Sequence, residues 1–130
     1  MEIAHRLMNL EGKCQAIHGH SMKVTIYLSG DLDENGILEG LDFGTIKKEF
    51  RQFIDDRFDH HLVLNVEDPA VELLEGIVPG VTTVPGDPTT ENLAMWIYNS
   101  CESAYLWGDY LEGVEIQETG TNGASYAKEL

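Results

Sequence analysis

The stretch from His20 to Ser29 constrains the fold more than any other. Met22, Val24, Ile26 and Leu28 fall on one face of an extended chain, and Lys23, Thr25, Tyr27 and Ser29 on the other. Such alternation belongs to a strand with one face on a core and one toward water, the usual state of an antiparallel sheet. The mouth of this strand carries Cys14-Gln15-Ala16-Ile17-His18-Gly19-His20. Two histidines two residues apart point the same way on extended backbone, and Gly19 between them has no side chain to crowd the approach. His5 offers a third imidazole upstream. Three protein ligands with one open position is the arrangement of catalytic zinc, whereas structural zinc is usually closed by four. Cys14, four residues before His18, is then either the fourth ligand or a neighbouring base. The choice separates a structural metal site from an active site.

The chain has 130 residues, enough for one domain, 1–130, with a core of its own. Its hydrophobic share of 42% separates it from disordered sequences. The net charge is −15, with 23 acidic against 8 basic residues, so nucleic acid and anionic membranes are poor partners. Arg6, Lys13 and Lys23 nevertheless fall beside the histidine motif, either by chance or as a local positive patch for an anionic substrate. There is no apolar run of membrane-spanning length, and Met1–His5 has no leader-like character. The expectation is a cytoplasmic protein with free thiols.

Further along, Gly30–Gly36 reads as a turn. Asp31, Asp33, Asn35, Gly36 and Asp42 imitate a calcium loop, but a strand precedes them where an EF-hand needs a helix, so a polar Asn-Gly hairpin accounts for the same residues. Ile37–Leu41 is the expected returning strand. Asp42–Phe58 is the first expected helix, capped by Asp42, with Phe43, Ile46, Phe50, Phe53, Ile54 and Phe58 as its apolar stripe. Val66–Pro88, rich in proline and glycine, reads as loop. A second helix starts after Asp87 or Thr89, carries Glu91 in its first turn, and buries Leu93, Ala94, Ile97, Cys101 and Ala104. Cys101 on that stripe is an inert core thiol. Strands over Val114–Glu118 and around Ser125–Ala127 complete a single α+β domain with an antiparallel sheet.

Two more positions invite chemistry. Asp59-His60 is a candidate orienting pair, though neighbours on a strand point apart, so direct pairing requires irregular backbone. Glu118 continues the apolar face of Val114 and Ile116, where an unpaired carboxylate is costly. Either the strand ends before it, or a donor meets it. A heterocycle with two adjacent N–H groups is such a donor.

Taken together, these pieces resemble the 6-pyruvoyl-tetrahydropterin synthase / 6-carboxytetrahydropterin synthase family. The residues that carry the resemblance are Ala4-His5-Arg6-Leu7, Cys14 with His18-Gly19-His20, Leu41-Asp42-Phe43, Asp59-His60 with Leu64-Asn65, Pro88-Thr89-Thr90-Glu91-Asn92, and Glu118-Thr119. The resemblance implies a tunnelling fold, a four-stranded antiparallel sheet with two helices on one face. It implies homo-oligomers, commonly hexamers of two trimers, with active sites between subunits. It implies zinc on His5, His18 and His20, Cys14 as base, Asp59 and His60 as proton relay, Glu118 as anchor of a pterin ring, and Thr89 and Thr90 near the substrate. The implied substrate is 7,8-dihydroneopterin triphosphate. The short Cys14–His18 motif looks closer to the carboxy branch, whose product, 6-carboxytetrahydropterin, feeds queuosine and other 7-deazapurines. The pyruvoyl reaction and a non-catalytic, metal-stabilised binding module are the alternative readings.

Overall fold

A computed structural model describes residues 1–38 and 40–129. In chain order the elements are β1 (Glu2–His5), β2 (His18–Ser21), β3 (Lys23–Leu28), α1 (Phe43–Arg57), β4 (Leu62–Asn65), α2 (Ala70–Leu74), β5 (Val81–Val84), α3 (Thr90–Ala104), β6 (Leu111–Gln117) and β7 (Gly123–Ala127). Short 3-10 turns cover Lys13–Gln15 and Leu106–Tyr110.

The alternating strand divides at Met22. Its first part, β2, pairs antiparallel with β1, setting His5 opposite His18. Its second part, β3, pairs antiparallel with β6, which pairs antiparallel with β7. The amide of Met22 donates to the Met1 carbonyl, so the hairpin partner continues up to the break. The expected four-stranded antiparallel arrangement thus survives as the path β1, β2/β3, β6, β7. It is not the whole sheet system. β4 and β5 extend β1 in parallel, giving a mixed sheet in the order β2-β1-β4-β5 beside the antiparallel sheet β3-β6-β7. Parallel strands are buried on both faces and show no alternation. Leu62-Val63-Leu64-Asn65 is buried at all four positions.

Three further expectations are corrected among the described residues. There are three α-helices, not two, because α2 and β5 lie within the stretch read as loop. Ile37–Leu41 forms isolated bridges from Leu38 to Leu32 and Leu41 instead of a strand, and Glu39 lies outside the described residues. Phe43 and Ala104, read as buried, are exposed. Each sits at a helix end, where the apolar stripe has run past the core.

Asp42 caps α1 through Thr45 N–H at 2.7 Å, and Thr89 caps α3 through Asn92 N–H at 3.1 Å. Ile46, Phe53, Ile54 and Phe58 meet Leu93, Ala94, Ile97 and Cys101 in one core with Val114 and Ile116 of β6. Trp107, in the turn after α3, stacks on Tyr105 and donates its indole N–H to Glu49 at 3.0 Å, tying that turn to α1. The consequence for function is positional. The β1/β2 hairpin, the start of α3 and the end of β6 converge at one pole of the domain.

Candidate metal centre and its pocket

The pairing of β1 with β2 places three imidazoles in a triangle, with ring centroids 4.6, 5.0 and 5.2 Å apart. A possible ligand nitrogen from each of His5, His18 and His20 lies within 4.8 Å of the others. Gly19 makes the close pairing possible, since a Cβ there would sit 3.1 Å from the Ile3 carbonyl. Backbone carbonyls orient two of the rings. His5 Nδ1 is 2.8 Å from the Pro88 oxygen, and His18 Nδ1 is 2.7 Å from the Ala16 oxygen. A carbonyl only accepts, so both Nδ1 atoms carry a proton, and in the neutral form of each ring the lone pair is on Nε2.

His5 is fully buried, and its Nε2 has no hydrogen-bond partner. Burial holds its pKa below the ordinary histidine value against the opposing pull of the Pro88 carbonyl, and the neighbouring imidazoles lower it further. A neutral imidazole with an unpartnered lone pair facing two others is what a divalent metal of intermediate softness requires, so these residues fit zinc.

Cys14 lines the same pocket but stands outside the cluster of ligand atoms among the described residues. The pocket, of about 720 Å³, is walled by the histidines, Thr89, Thr90 and Glu91 of the α3 start, and Glu118, Thr119, Thr121 and Asn122 beyond β6. β6 ends at Gln117, and the chain turns as Glu118 N–H donates to Asn122. Glu118 therefore leaves the core face and enters the pocket, its Oε1 3.8 Å from His5 Nε2 and 3.6 Å from His20 Nε2.

Asp59 and His60 lie elsewhere. His60 N–H donates to the Glu2 carbonyl at 2.6 Å, so the pair flanks the end of β1 opposite His5, roughly 10 Å away along the strand. The backbone is irregular as direct pairing demands, with His60 at φ 60° and its Nδ1 2.9 Å from Asp59 Oδ2. The His60 side chain is 78% exposed, which leaves Nε2 free to meet another molecule. Asp59 borders a separate groove of about 900 Å³ between α1 and β3, lined in part by Lys47, Lys48 and Arg51.

Sequence reasoning gives Glu91 a favourable charge at a helix start and a place in the Pro88–Asn92 stretch but no part in the site, yet that helix start faces the pocket. Of the expected basic patch only Lys13 lines the pocket among the described residues; Arg6 and Lys23 do not.

The model of the 6-pyruvoyl tetrahydropterin synthase family matches residues 1–129. The chain belongs to that family. Among curated relatives it is 31% identical to the 6-carboxy-5,6,7,8-tetrahydropterin synthase of Synechocystis, over 96% of this chain and 85% of the relative. It is 30% identical to the protein of that name from Haemophilus influenzae, over 90% and 93%. Among solved structures, an uncharacterized protein of Wolinella succinogenes superposes with a TM-score of 0.77 at 22% identity, covering 99% of this chain and 96% of the other. The Caenorhabditis elegans 6-pyruvoyl tetrahydropterin synthase gives 0.73 at 23%, covering 99% and 90%. These likenesses show the tunnelling fold of the family. No helix of the described residues is long and apolar enough to cross a membrane.

Proposed function

We propose that the protein is a zinc-dependent 6-carboxy-5,6,7,8-tetrahydropterin synthase acting on 7,8-dihydroneopterin triphosphate, with acetaldehyde and triphosphate as the other products. The observation that carries the reading is the orphaned lone pair of buried His5, set against His18 and His20 with Cys14 outside the ligand set. An open three-histidine site supports catalysis over a closed structural site. The names of the relatives support the carboxy over the pyruvoyl reaction.

His5, His18 and His20 would hold the zinc, which supplies Lewis-acid polarisation of substrate oxygen. Cys14 Sγ accepts a proton from the substrate side chain. Asp59 accepts the Nδ1 proton of His60 as a hydrogen bond, fixing the tautomer whose Nε2 receives or returns a proton. Glu118 accepts from pterin N–H groups, and Thr89 and Thr90 frame the substrate. The 21% exposure of Glu118 beside two imidazoles suits an acceptor that a ligand covers on binding.

Because Asp59-His60 flanks the far end of β1, its relay serves the pocket of a neighbouring copy. This supports a homo-oligomer with active sites at subunit interfaces, and a hexamer of two trimers is the assembly that the family resemblance implies. A cytoplasmic setting and a supply role for queuosine and related 7-deazapurines go with the carboxy product.

Incubation of zinc-loaded protein with 7,8-dihydroneopterin triphosphate, followed by mass spectrometry, tests the reading. 6-Carboxytetrahydropterin with acetaldehyde is the expected result. A product retaining the side-chain carbons assigns the pyruvoyl reaction, and unchanged substrate removes the enzyme reading.

A further inference from the structure

Arg6 follows the ligand His5 directly, yet it does not line the histidine pocket. Its Nε donates to Asp68 Oδ2 at 2.8 Å, and its Nη1 donates to the Gln15 carbonyl at 3.3 Å. The Asp68 side chain has no exposed surface, and its Oδ1 accepts from Ala70 N–H at 2.9 Å. A carboxylate so buried is tolerable only with its cation in place. The proposed chemistry makes no use of this ion pair.

What the pair does is visible at the other end of the guanidinium. The turn Lys13–Gln15 buries no residue and has no capping side chain. No apolar anchor sets where Cys14 stands relative to the histidines, so polar contacts must do it. Leu7 N–H holds the Cys14 carbonyl at 2.9 Å, and Gln15 Nε2 reaches back to the Met8 carbonyl at 3.1 Å. Arg6 holds the next carbonyl, that of Gln15. The backbone is thereby pinned at Cys14 and just beyond it, and the fixed point behind Arg6 is Asp68.

We infer that Arg6, locked by Asp68, is the positioning residue for the Cys14 thiol. The inference rests on the reading that Cys14 moves a proton in the proposed reaction. A guanidinium is suited because two separated donors on one rigid plane meet Asp68 and Gln15 together. Lysine keeps the charge for Asp68 but has a single nitrogen, so it loses the grip on the turn.

The decisive variant is Arg6→Lys. It is expected to fold, to bind one zinc, and to keep KM within about threefold, while kcat falls on the order of 100-fold, as a small misplacement of a reacting group does. Independently of turnover, iodoacetamide should modify Cys14 faster, by about threefold or more, because the turn opens more often. Cys101 does not confuse this readout, being fully buried with its thiol pushed up to about 12. Asp68→Asn should show the same two effects, and the double variant should add little to either. Normal kcat and normal alkylation in Arg6→Lys overturn the inference. So does loss of zinc or of folded structure in that variant, which would make the pair part of the general framework. If the wild-type protein yields no pterin product, the proposed reaction fails, while faster alkylation in both variants still upholds the positioning role.

Discussion

His5 joins strand pairing, burial and the proposed metal chemistry in one side chain. β1 pairing fixes its backbone opposite His18, the Pro88 carbonyl fixes its tautomer, and burial keeps it neutral. Deleting one partner should therefore be severe. His18→Ala is expected to lower zinc affinity by at least about 100-fold, measured by competition with a chromophoric chelator. Asp59 makes a different prediction. Glu2 N–H, and after it His60, hold its carboxyl below the usual aspartate value. A depressed folded pKa stabilises the fold above the unfolded pKa, and that contribution is lost as pH falls through the folded value. Asp59→Asn should thus be less stable than wild type at pH 7, with the gap in urea unfolding closing below about pH 4. At this scale the sequence was readable wherever chemistry depends on local spacing. His18-Gly19-His20 lies within one strand, and the alternation of Val114 and Ile116 marks Glu118 as a carboxylate out of place on a core face, although the strand in fact ends one residue before it. Glu91 was hidden because an acid in a helix's first turn is ordinary, and only tertiary packing turns that helix start toward the pocket.

The elements follow the same division between local and non-local information. α1 was legible to within a residue, and the start and buried stripe of α3 as well, because caps and apolar stripes lie in sequence; α3 stops at Ala104, short of the end expected at Trp107-Gly108-Asp109. Asp42→Ala removes the side chain that accepts from Thr45 and should cost about 1 kcal/mol, seen as a lower urea midpoint at unchanged slope. β5 was not legible. Val81-Thr82-Thr83-Val84 is a β-branched run bounded by Gly80 and Pro85, but its partner β4 lies sixteen residues or more upstream across a short helix. β4 itself reads as a continuous apolar run, which periodicity does not distinguish from buried helix. The division of the long strand at Met22 left no mark in sequence, because alternation continues across it while the pairing partner changes from β1 to β6.

On the scale of the whole molecule, the separation of Cys14 from Asp59-His60 is the feature behind the proposed pairing of subunits at the active site. Mixed oligomers assembled from Cys14→Ala and His60→Ala subunits should regain turnover that neither variant shows alone. Failure to regain any would confine the relay to its own chain. The net charge of −15 means that association of copies must overcome like-charge repulsion and should tighten with added salt. The central claim concerns the pocket at the pole of the domain, an open centre of three histidines with the thiol free for chemistry. Zinc content of purified Cys14→Ala tests it most directly. One zinc per chain, as in wild type, is the predicted result. Loss of the metal with the thiol would contradict the account and make Cys14 the fourth ligand of a closed structural site.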